Sequence, residues 1–110
     1  MQTQPTGAER RLEPRKPISA EVELITAAGT LKVELLDLSM GGAKVRTRAP
    51  AGEWGDAVGL WLPAGRSLNP VRATIVRLQP DASGVLLGLR FDPLSPSTRQ
   101  TLASLVDPLS

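Results

Sequence analysis

Two short segments hold most of the residues that could do binding chemistry. The first contains Arg10, Arg11 and Arg15 in the run Arg10-Arg11-Leu12-Glu13-Pro14-Arg15. A guanidinium is a planar fork of donors, suited to bidentate contact with phosphate oxygens or a guanine edge, and able to stack on a purine face. The second is Asp37-Leu38-Ser39-Met40-Gly41-Gly42, where a carboxylate, a hydroxyl and paired glycines crowd into one break between apolar stretches. Each segment has an ordinary reading too: exposed arginines in a leader are commonly just solvated, and Asp-x-Ser before glycines can simply close a hairpin. Residues 9–16 hold four positive and two negative charges, so this short run carries the whole formal net charge of +2. A local cationic cluster on a nearly neutral body suits one small anionic ligand better than a long nucleic acid.

Composition removes the main catalytic alternatives. There is no histidine, cysteine or tyrosine, which takes away the near-neutral acid–base group, thiolate chemistry and any Ser-His or Cys-His nucleophile. No nucleophile–base pair or metal-ligand constellation stands out, so no enzyme, cofactor or metal is expected. An oligonucleotide-binding barrel needs aromatics interleaved with basic residues, and the chain has only two tryptophans and one phenylalanine. At 110 residues, 41% hydrophobic and 22% charged, it suits one domain with one modest core. Met1 to Ala8 reads as a polar flexible leader without the apolar stretch of a secretory signal. Ala57 to Gly65 is too short to span a bilayer. A cytoplasmic protein that inserts in no membrane is the default expectation.

The elements that must position the two segments read mainly as strands. Ile18, Ala20, Val22 and Leu24 alternate with polar residues, and Leu31, Val33 and Leu35 continue the pattern after Ala27-Ala28-Gly29-Thr30. The break Asp37 to Gly42 is followed by Ala43, Val45 and Thr47. Val58, Leu60 and Leu62 form a further strand with Trp61 on its opposite face. Val71 to Leu78 and Val85 to Phe91 flank a turn from Gln79 to Gly84. Such strands imply an all-β, six-stranded antiparallel barrel, closed or nearly so. Ser95 and Pro96 then start a short C-terminal helix burying Leu102, Leu105 and Val106. Trp54 reads as a loop anchor and Trp61 as a barrel cover, while Phe91 belongs to the core. Arg72, Arg77 and Arg90 face outward, where one of them could extend a pocket. Asp56 and Asp92 serve turns.

With these residues in place, the chain resembles the PilZ family, whose signature is RxxxR in an N-terminal loop followed by (D/N)xSxxG. Arg11 and Arg15 match the first element; Asp37, Ser39 and Gly42 match the second, and Gly88-Leu89-Arg90-Phe91 is similar to the family's late GxxF strand. The ordered pair is more specific than either motif alone. The resemblance implies a split, PilZ-like barrel and a receptor for cyclic di-GMP in which Arg11 and Arg15 come from residues 9–17 and Asp37, Ser39, Gly41 and Gly42 from the barrel of residues 18–110. Asp37 would accept hydrogen bonds from guanine N1–H and its exocyclic amine. Arg10, just before the motif, leans toward a stacked pair of ligands. The closing residues 90–106 are similar to the PilZ segment of the bacterial cellulose synthase catalytic subunit, which would make the output polysaccharide synthesis; a free-standing domain would instead serve motility, pilus or biofilm partners. The competing reading is a PilZ-like adaptor that binds only protein.

Overall fold

A computed structural model describes residues 16–63 and 69–106 of the chain. Strands β1 (Lys16–Thr26), β2 (Gly29–Leu38), β3 (Gly42–Thr47), β4 (Ala57–Leu60), β5 (Val71–Asp81) and β6 (Gly84–Phe91) are followed by helix α1 (Pro96–Val106). The strands close into a barrel in the order β1-β2-β3-β6-β5-β4, and every pairing is antiparallel. Closure is made by Leu24↔Leu60 and Ile25↔Gly59 between β1 and β4.

Alternation fills the inside. Val22, Leu24, Val33, Leu35, Val45, Ile75, Leu87 and Leu89 are all buried in one core, as expected where one face of each strand meets the lumen of a small barrel. Helix α1 contributes Leu102 and Val106 to the same core. Its start follows the expected cap: the Thr98 amide donates to Ser95 Oγ at 3.2 Å, satisfying one of the amides that a helix leaves unpaired at its first turn.

Several elements differ from the sequence expectation. β1 begins at Lys16, two residues ahead of Ile18. β2 runs through Asp37 to Leu38, so the expected break starts only at Ser39. β5 continues past Leu78 to Asp81 and leaves just Ala82-Ser83 between Asp81 and Gly84. Pro80 is tolerated there because β4 pairs with β5 only as far as Ala57↔Thr74, so Pro80 has a ladder neighbour, Val85, on one side alone. β4 stops at Leu60, although Leu62 is still buried. Trp54 is 71% exposed, so it is not the buried anchor expected for its loop. Its loop is held by main-chain bonds instead, Gly55 N to Ile75 O at 2.7 Å and Ile75 N to Asp56 O at 2.9 Å, with the Asp56 carboxylate accepting from the Glu53 amide.

Register slips on β1 (between Pro17 and Ala20), β2 (between Leu35 and Asp37) and β5 (between Ile75 and Arg77). These are β-bulges, which bend a strand and increase its twist. Their places in β1, β2 and β5 suit the curvature that a closed barrel demands.

Candidate functional site

The bulge in β2 decides where Asp37 stands. Val33 and Leu35 are buried, and strict alternation would send residue 37 into the core as well. Leu36 is the extra residue: Leu35 pairs with Val45 but Asp37 pairs with Lys44. Parity therefore flips, Leu38 becomes fully buried, and half-buried Asp37 falls in the outward row with Lys44. On its other side Asp37 pairs with Pro17 of β1.

Ser39 builds the turn that follows. It is only 3% exposed. Its amide donates to the Gly42 carbonyl at 2.9 Å, and its hydroxyl donates to the same oxygen at 3.3 Å. The amides of Gly41 and Gly42 donate back to Ser39 Oγ, each at 3.2 Å. One donor and two acceptor sites are all that a hydroxyl has, so this one is fully used within the turn.

The glycines are placed by neighbours rather than by unusual dihedrals. The Gly41 carbonyl accepts from the Phe91 amide at 2.8 Å, which ties the turn to the end of β6. Gly42 pairs with Arg90, and a Cβ added there would fall on the Leu89 carbonyl oxygen. Close approach of β3 to β6 therefore requires glycine at this position.

Asp37, Ser39, Gly41 and Gly42 thus belong to one junction of β2 and β3, as their spacing implied, but only Asp37 presents a side chain outward from it. Arg10, Arg11 and Arg15 lie outside the described residues. What sequence reasoning missed is the row behind Asp37: Lys44 pairs with Gly88 and Gly88 with Arg77, while Arg90 lies two residues along β6. The alternation of Arg77 and Arg90 with apolar residues was visible, but not their register with Lys44.

Further along the same outer surface, Arg46 is neutralised. Its Nη1 donates to Glu34 Oε1 at 2.9 Å and its Nε to Asp81 Oδ2 at 3.2 Å. Asp81 also accepts from the Ser83 amide at 2.8 Å, closing the β5–β6 turn. That amide first, and then Arg46, hold the Asp81 carboxyl below the usual carboxylate range. A depressed folded-state pKa adds stability that is fully present above the unfolded value and disappears as pH falls through the folded one. Thermal melts of wild type and Asp81→Asn, whose amide still offers an oxygen to Ser83, should therefore differ by a constant amount above roughly pH 4 and converge below it. A gap independent of pH down to acid unfolding would show that the charge of Asp81 adds nothing.

A concavity of about 860 Å³ lies beside this pair, with Ser19, Glu21, Lys32, Glu34, Arg46 and Thr47 among its lining residues. It touches no residue of the motif and its Arg46 is already neutralised, so the Asp37 face is the better candidate. Among the described residues no group of three or more His, Cys, Asp or Glu side chains could hold a metal ion, and no helix is long and apolar enough to cross a membrane.

A protein-family model described as PilZ domain matches residues 9–107. Among solved structures, the Bacillus subtilis inhibitor of motility (MotI/DgrA) superposes with a TM-score of 0.75 at 15% identity, over 91% of this chain and 51% of that one. The PilZ domain of YcgR from Escherichia coli, solved with c-di-GMP, gives 0.62 at 24% identity over 91% of each chain. The PilZ domain of CeSA from a cellulose-synthesizing bacterium gives 0.65 at 25% identity, over 86% of this chain and 96% of that one. This chain thus spans about half the length of MotI/DgrA. No curated protein matches it.

Proposed function

Because the chain belongs to the PilZ domain family, we propose that it is a receptor module for cyclic di-GMP. The observation that carries this reading is the outward Asp37 at the head of a pre-built turn, reached by the chain just after RxxxR. Arg15 is bonded to Lys16, whose backbone pairs with Leu38, and Pro17 pairs with Asp37. That β1 starts beside Asp37, directly after RxxxR in the sequence, supports assigning both motifs to one site. The YcgR PilZ domain, similar over nearly its whole length, was solved with this dinucleotide.

In this reading Arg11 and Arg15 grip phosphate oxygens or the O6/N7 edge of a guanine, and Asp37 accepts from guanine N1–H and the exocyclic amine. Ser39, Gly41 and Gly42 keep the turn in shape behind it. Ligand binding draws the arginine segment onto the barrel, so a change in dinucleotide concentration becomes a change of surface. The module itself does no chemistry. Its output lies in an adjoining domain or partner: polysaccharide synthesis by analogy with CeSA, or motility by analogy with MotI/DgrA. Arg10 provides for a second, stacked ligand.

Calorimetric titration tests the reading. Wild type should bind cyclic di-GMP with a micromolar or lower Kd and ignore GTP. Arg15→Ala and Asp37→Ala should each weaken binding by roughly 10- to 100-fold, the range for lost charge-assisted hydrogen bonds. No binding by folded wild type sinks the proposal, and the PilZ-like protein adaptor would take its place.

A further inference from the structure

Strands β3, β6 and β5 carry five described cations, Lys44, Arg46, Arg72, Arg77 and Arg90, and they are treated unequally. Arg46 has two carboxylate partners, Glu34 and Asp81. Lys44, Arg77 and Arg90 take part in no ion pair among the described residues. The register brings these three together: Lys44↔Gly88↔Arg77 runs straight across three strands, and Arg90 follows Gly88 by two positions on β6. Lys44 alternates with buried Ala43 and Val45, and Arg90 with buried Leu89 and Phe91, so both occupy outward positions, and Arg77 is exposed.

Strand spacing puts the Lys44 and Arg77 backbones about 10 Å apart, with Arg90 about 7 Å along from the midpoint. Long basic side chains from such positions can converge on one anion. The midpoint residue has no side chain of its own: a Cβ at Gly88 would stand 3.0 Å from Arg77 Cβ and 3.9 Å from Arg77 Cδ. Gly88 thus leaves room for Arg77 to lie across the floor of the cluster. Among the described residues, the only carboxylate in this row is Asp37, at its β2 end, next to Lys44.

Unpaired like charges gathered this closely repel one another, and an anion removes that repulsion. We propose that Lys44, Arg77 and Arg90 form a cationic shelf that receives a phosphodiester beside Asp37, and so set the affinity of the site. This rests on the receptor reading above and deepens it, since neither sequence motif includes any of the three residues. The phosphodiester is either the far phosphate of the dinucleotide held at Asp37 or a phosphate of a second dinucleotide.

The test is calorimetry with cyclic di-GMP at low and moderate salt, on wild type, a Lys44→Ala/Arg77→Ala/Arg90→Ala triple variant, an Arg77→Lys/Arg90→Lys variant and an Arg99→Ala control from the exposed face of α1. The triple variant should bind roughly 30-fold or more weakly and respond less to salt. The lysine variant should recover much of the affinity, and the control should behave as wild type. If wild type binds one ligand per chain, the shelf takes the far phosphate of that ligand. If wild type binds two and the triple variant one, the shelf holds the second molecule. A folded triple variant with wild-type affinity, stoichiometry and salt response overturns the shelf and leaves the receptor function standing. Absence of any binding by wild type overturns both.

Discussion

Gly42→Ala should cost the barrel about 3 kcal/mol, near the upper end for forcing extra volume into a packed site, and lower its melting temperature by roughly 10–20 °C. The new methyl group would land on the Leu89 carbonyl oxygen. That atom is main chain in a β6 residue paired with Ala43 on β3 and Ile75 on β5, so it cannot swing aside as a flexible side chain would. The contrast with Asp37→Ala makes the experiment decisive. Asp37 is half-buried in the outward row, and its loss should lower the melt far less than Gly42→Ala does while weakening ligand binding. A glycine in a binding motif invites the view that it lets ligand approach; here Gly42 is absent from the glycines with positive φ, which are Gly29, Gly52, Gly55 and Gly84, and its neighbour is the protein's own backbone. Should Gly42→Ala melt like wild type yet fail to bind, the packing explanation is wrong and the glycine serves the ligand directly.

The motif therefore divides by role: Asp37 shows its side chain, Ser39 spends its hydroxyl on the turn, and Gly42 yields space to β6. Spacing in the sequence located all three but could not divide them, because the division depends on Leu89 and Phe91, remote along the chain. The strands themselves were legible wherever one face is buried, since period-two alternation is imposed by the lumen. The six-stranded closed barrel follows from that pattern, and the C-terminal helix from its Ser95-Pro96 start and the helical spacing of Leu102, Leu105 and Val106. Trp54 was misread because an aromatic residue in a loop suggests burial, whereas this loop is secured through its backbone bonds to Ile75. The gathering of Lys44, Arg77 and Arg90 is invisible in sequence, since it depends on the β3–β6–β5 register and on the extra residue Val76 in β5.

One trace of the bulges was nonetheless present. Buried positions on β2 move from odd numbers, Val33 and Leu35, to an even one, Leu38; only an inserted residue reconciles that with a continuous strand. Deleting Leu36 tests how much depends on it. In the shortened strand Leu35 stays opposite Val45, Asp37 opposite Lys44 and Leu38 opposite Ala43, so the β2–β3 ladder becomes regular and Asp37 still faces outward. The mismatch passes to the other side of β2, where β1 already carries one extra residue between Pro17 and Ala20 and would have to carry two. The deletion should therefore keep a cooperative thermal transition at a lowered melting temperature, the loss arising in the β1–β2 pairing. The matched control is Leu36→Ala, which keeps the residue count and trims only a half-buried side chain; it should melt cooperatively within a few degrees of wild type and bind as wild type does. If the deletion variant loses its cooperative transition altogether, the bulge in β2 is required for the barrel to close and does more than set the parity between Leu35 and Leu38.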